Sequence, residues 1–174
     1  MPNNIPSSTG TTIDGAGQNV ISGTGSATST ATNTSATVVG TASSNTNNAA
    51  LDYKEAFTLL KLGKYGPSIT SFEAFLQNHP GSKYAANAQY WLAEANYVSK
   101  KYPTALTEFS KVVEQYPASS KVADAKLKLG FTYYELGQYE QSRIELTRLR
   151  AQFPNSSVAS LAQQRLERIA REGH

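Results

Sequence analysis

Few residues of this sequence have the chemistry to make or break a bond. Cysteine is absent, which excludes a thiolate nucleophile and a disulfide framework. The two histidines, His79 and His174, lie far apart in the chain. A zinc site needs three or four converging ligands, so no metal is expected. His79 precedes Pro80 in a slot that Tyr116 and Phe153 fill further along, and is read as a packing residue. Gly15-Ala16-Gly17 has the glycines of a phosphate loop, but neither a strand before it nor a helix after it. Lys100-Lys101 and Arg148/Arg150 read as solvated surface. Asn33-Thr34-Ser35 fits a glycosylation sequon, which the local composition would produce by chance. No catalytic residue and no cofactor is therefore expected. The formal net charge is +3 with both signs interspersed, too scattered for a nucleic-acid footprint. No apolar run is long enough to span a membrane. What remains is the chemistry of contact: ten tyrosines, six phenylalanines and one tryptophan, all after residue 50.

A repeat positions those rings. Tyr65, Tyr102 and Tyr139 recur at the same interval as Pro80, Pro117 and Pro154, and as Phe72, Phe109 and Leu146. The interval is 37 residues without a gap, which marks an array of supersecondary units. Three copies are expected, 51–87, 88–124 and 125–161, each a pair of helices. In the first, helix A runs from about Ala49 to Leu62 and helix B from about Pro67 to Asn78. In the second they run from about Ser82 to Ser99 and from Pro103 to Gln115. In the third, helix A ends at Leu136 and helix B spans about Glu140 to Gln152. Gly63, Lys100-Lys101 and Gly137 make the turns within pairs. Prolines end the B helices, and Ser82, Ser119 or Ser120, and Ser156 or Ser157 are the expected caps of the next helices. A last helix, 157–171, presents Ala159, Ala162, Leu166 and Ile169 to the stack, with Arg165, Arg168 and Arg171 towards water. Small residues, Ala93, Ala105, Gly130 and Ser142, sit where helices approach; Phe72, Phe109 and Leu146 fill the space between. Residues 1–50 are mainly Ser, Thr, Asn, Gly and Ala, with one acid, Asp14, and no Lys, Arg, Glu or aromatic residue, and read as a disordered linker.

Leu129, Gly130, Tyr133, Gly137, Tyr139, Ser142, Leu146 and Pro154 fall at the spacing of the tetratricopeptide (TPR) repeat, as do Leu92, Ala93, Tyr102, Ala105, Phe109 and Pro117. The first copy carries Gly63, Tyr65, Ser68, Phe72 and Pro80 but has Glu55 where leucine is expected, and Trp91 stands two positions after the consensus tryptophan slot. The fold class is thus all-α, a right-handed TPR superhelix of three helix pairs plus a capping helix. The long spacing, with its extra turn after the proline in PGSKYAANAQYWLAEANY and PASSKVADAKLKLGFTYY, resembles the C-terminal domain of the Tol-Pal system's periplasmic TPR protein, the cell division coordinator family. The resemblance implies a non-enzymatic periplasmic adaptor that contacts TolA and a bifunctional peptidoglycan synthase, coordinating septal wall synthesis with outer-membrane constriction. It also implies a signal peptide and a trimerising coiled coil ahead of residues such as these, so that the TPR domain alone is expected to be monomeric and the full-length protein trimeric; without those segments the chain reads as a cytosolic protein, a mature form or a fragment, and its abrupt start inside low complexity favours the fragment. Two other readings stay open: another envelope scaffold, such as a lipoprotein of the barrel-assembly machinery, and a non-catalytic module of a larger enzyme.

In a TPR stack the A helices line the concave face. The repeat frame then places Tyr53, Phe57 and Leu60 from the first copy in that groove, with Tyr90, Glu94 and Tyr97 from the second and Leu127, Phe131 and Tyr134 from the third. Rings on a rigid groove suit a partner's extended or helical segment. Alanine at Tyr90 or Tyr97 is expected to weaken binding and leave the fold intact. The competing assignment packs Tyr90, Trp91 and Tyr134 against the preceding B helix, Trp91 foremost. The TPR mode that clamps a C-terminal carboxylate is disfavoured, because its slots hold Tyr53, Phe57, Trp91, Asp124 and Lys128, and only Lys128 suits.

Overall fold

The computed structural model describes residues 40–174, with side chains from residue 48 onward. The linker reading for 1–39 lies outside the described residues. Seven helices succeed one another with no strand among the described residues: α1 Gly40–Lys61, α2 Tyr65–Asn78, α3 Ala85–Val98, α4 Tyr102–Gln115, α5 Val122–Glu135, α6 Tyr139–Gln152 and α7 Ser157–Arg171. Each packs on its neighbour in sequence; α5 also meets α7, and α1 meets α3, so the A helices run side by side. This is the expected TPR superhelix: three pairs and a cap.

The repeat frame dictates the packing. Phe72, Phe109 and Leu146 are fully buried, one per pair. Opposite them stand Ala56, Ala93 and Gly130. At Gly130 the approach is closest: an added Cβ would lie 2.5 Å from Leu146 Cδ2. Ser68 Oγ donates to the Ala56 carbonyl at 2.9 Å, and Ser142 Oγ to the Gly130 carbonyl at 2.7 Å. Each bond pins helix B to helix A; Ala105 fills the same slot in the second pair with no hydroxyl. Leu92, Leu129 and Leu166 then pack each new A helix on the B helix before it. The equivalent in α1 is Glu55, which is exposed between the exposed Leu51 and Leu62. A carboxylate there solvates the outer face of the first helix.

The three residues that lengthen the repeat form a turn of their own. Ser82 N donates to the His79 carbonyl and Ala85 N to the Ser82 carbonyl; Tyr116, Ser119 and Val122 repeat the pattern. Ser82 and Ser119 therefore do not cap α3 and α5 as expected. Their hydroxyls accept from Tyr84 N and Lys121 N inside that turn. Only Ser156 caps in the expected way, accepting from Ala159 N at 3.2 Å.

The start of α1 also departs from expectation. The helix begins at Gly40, inside the stretch read as linker to residue 50. Extending an existing helix adds a hydrogen bond per residue without a new nucleation cost, so weak helix formers can continue a helix that packing has already fixed.

Gly63 and Gly137 turn the chain with φ of 71° and 72°, and Lys100 holds the same place with φ 59°. A side chain in this left-handed region is strained, whereas glycine is not. Lys100→Gly is expected to stabilise the domain by about 0.5–1 kcal/mol in urea unfolding, the reverse of the usual effect of glycine.

Candidate functional site

The A helices meet along one face, and their side chains form a continuous seam. At its N-terminal end the seam is aromatic. Tyr84, in the turn before α3, stacks on Tyr53 with ring centres 5.1 Å apart. Tyr53 stacks on Phe57 at 6.1 Å, one helical turn along, and Phe57 meets Trp91 of α3 at 5.1 Å. Tyr53 also sets its edge against Phe72 and Phe75, so this row is rooted in the core. Burial raises the pKa of the Tyr53 hydroxyl. Lys61 and Lys83 place their ammonium groups 5.2 Å and 5.1 Å from the Phe57 and Tyr84 rings.

From α3 onward the seam is built of charges laid over rings. Lys121 lies over Tyr90 and Trp91 and pairs with Asp124 at 3.2 Å. Lys128 lies over Tyr97 and sits 2.8 Å from Glu94 Oε1, an ion pair without hydrogen-bond alignment. Tyr97 Oη donates to Glu135 at 3.4 Å. Burial, and then the Glu135 charge, push the Tyr97 hydroxyl up to about 12. Arg165 of α7 covers Phe131 and Tyr134 at 4.2 Å and 4.5 Å and faces Glu135 at 3.6 Å. Tyr134 Oη donates to Glu172 at 2.6 Å, which raises the tyrosine and lowers the carboxyl, the latter held chiefly by Arg168.

Seven of the nine expected groove residues are half-buried on this face: Tyr53, Phe57, Leu60, Glu94, Tyr97, Phe131 and Tyr134. The other two are corrected. Tyr90 is buried against Phe109, and its hydroxyl pKa is strongly raised, first by burial. Leu127 is buried in the cluster beneath α7. Tyr90→Ala therefore removes core packing, contrary to the expectation that the fold would be untouched. Adjacent helical residues point about 100° apart, and it is Trp91 that reaches the seam. The competing assignment puts Trp91 foremost in the inter-repeat core; it is half-buried and bridges the first two copies. Two further contributors escape sequence reasoning. Tyr84 lies in the extra turn, which no standard repeat frame covers. Arg165, expected in water, places its guanidinium over two rings. The expected surface roles of Arg168 and Arg171 hold, and His79 packs on Phe75 with Nε2 at 2.8 Å from Asp52.

Among the described residues no group of His, Cys, Asp and Glu has the arrangement of a metal site. No described helix is long and apolar enough to cross a membrane.

The family model "YfiO: Outer membrane lipoprotein" matches residues 45–172, from within α1 to the end of α7. The chain belongs to that family. Over shorter stretches it is similar to proteins described as "Cell division coordinator CpoB". One, from Pseudomonas putida, is 48% identical over 46 residues, covering 26% of this chain and 17% of the relative. Another, from Escherichia coli, is 37% identical over 51 residues, covering 29% and 19%. The matched segment thus spans less than a fifth of the length of these relatives. Among solved structures, a TPR domain of Spaghetti (RPAP3) bound to an HSP90 peptide superposes with a TM-score of 0.60 at 19% identity, covering 73% of this chain and 94% of that one. MamA from Desulfovibrio magneticus does so with a TM-score of 0.61 at 23% identity, covering 72% and 66%. At these identities the likeness shows the TPR fold alone. The resemblance to the cell division coordinator family, read from the long repeat, is matched by the named relatives.

Proposed function

We infer that this chain is the protein-binding TPR module of a cell-division coordinator that acts in the periplasm within the Tol-Pal system. Its three units, 51–87, 88–124 and 125–161 with the cap 157–171, act as one rigid scaffold. The observation that carries this reading is the aromatic seam: rings fixed on neighbouring A helices yet left half-open to solvent. Large rings with two side-chain torsions give contact area at little entropic cost, which suits a partner's segment. The groove comprises Tyr53, Phe57, Leu60, Glu94, Tyr97, Phe131 and Tyr134, joined by Tyr84 and Trp91. The role is that of a non-catalytic adaptor, contacting TolA and a bifunctional peptidoglycan synthase and so coupling septal wall synthesis to outer-membrane constriction. The test is calorimetry of the full chain against the periplasmic region of TolA. Saturable binding supports the reading; no heat at high micromolar concentrations of either protein removes TolA from it.

The family match favours a second reading, an outer-membrane lipoprotein scaffold serving barrel assembly. Affinity for barrel-assembly components in place of TolA, in the same assay, would select it.

A further inference from the structure

The seam is not uniform in charge, and the difference names the chemistry of its ligand. In the α5–α7 half every cation on the seam has an acid of its own: Lys128 with Glu94, Arg165 with Glu135 and Arg168 with Glu172. Arg165 also covers both rings there, so that half is occupied by its own side chains. In the α1–α3 half, Lys121 is paired with Asp124. Lys61 and Lys83 are exposed, and neither has an acidic partner within ion-pair distance among the described residues. These two cations stand at opposite ends of the Tyr84–Tyr53–Phe57 row, one over its first ring and one over its last.

Resting on the groove reading above, we propose that the ligand docks on the α1–α3 half and is an internal segment of a partner protein whose short apolar stretch is bracketed by acidic side chains. The row from Tyr84, under Lys83, through Tyr53 to Phe57, under Lys61, runs in ring-to-ring steps of 5.1 Å and 6.1 Å. One carboxylate cannot serve both lysines across that span. Two can, with the apolar residues between them lying on Tyr53, Phe57 and Trp91. In an extended segment the span corresponds to roughly four residues. A chain terminus, with its single carboxylate, meets only one end. The ammonium groups are already placed over rings, so ordering them costs little more when the acids arrive. The same charges steer encounter and set which partners are refused.

Trp91 is the only tryptophan, so its fluorescence reports occupancy of this half without a label. The full chain is titrated with three synthetic peptides that share an apolar core of three residues and are bracketed by glutamate, glutamine or lysine. The glutamate peptide is expected to bind roughly tenfold tighter than the glutamine one at low salt, with the gap closing in 0.5 M salt, and the lysine peptide weakest. In Lys61→Glu/Lys83→Glu the order reverses. Equal binding of all three peptides overturns the acidic bracket and leaves the groove standing. No Trp91 response to any of them, with TolA binding also absent, overturns both.

Discussion

Phe109→Ala lowers the stability of the domain by about 3–5 kcal/mol, the usual cost of emptying a fully buried phenylalanine site. Phe109 has no exposed surface and joins Tyr90, Ala93, Ala105, Val112 and Leu129 in the central cluster. Those neighbours come from both helices of the second pair and from the A helix of the third. In a stacked array each pair is held only by those beside it, so a cavity at Phe109 weakens both the middle pair and its joint with the third. Against a total of roughly 5–15 kcal/mol for a domain, such a loss leaves the array marginal. Phe109→Leu, which copies the third pair, costs only about 1 kcal/mol because most of the volume is retained. Urea unfolding checks both. A shift below about 1 kcal/mol for the alanine variant would mean that Phe109 is not the centre of the core.

Phe57→Ala has its effect on binding. The ring stands between Tyr53 and Trp91, with Lys61 above it, and is half-buried before any partner arrives. A rigid aromatic anchor of this kind contributes about 2 kcal/mol or more to an interface, a loss of roughly thirtyfold in affinity. Phe57 borders the core cluster without closing it, so circular dichroism and the urea midpoint move far less than for Phe109→Ala. Calorimetry against the periplasmic region of TolA is the check. Full affinity in Phe57→Ala would place the contact elsewhere on the stack.

The array is legible because the repeat states its own packing three times. Phe72, Phe109 and Leu146 recur opposite Ala56, Ala93 and Gly130, and volume complementarity admits few other arrangements. The seam is only partly legible, because burial on an A helix depends on what the next A helix lays across it. The repeat frame cannot show that Lys121 closes over Tyr90, or that α7 covers Leu127 and sends Arg165 over Phe131. Nor does it choose between Tyr90 and Trp91, where one residue's rotation exchanges core for surface. The helical start at Gly40 is illegible for a different reason: Ser, Thr and Asn have no preference strong enough to reveal a helix that is held from its other end.

The most direct test is amide-NMR mapping of the full chain as the periplasmic region of TolA is added. Shifts are expected on the A helices, concentrated at Tyr53, Phe57, Leu60, Trp91 and Tyr97, and fading towards Phe131 and Tyr134. Shifts confined to the B helices α2, α4 and α6 would contradict this, placing the partner on the opposite face of the stack.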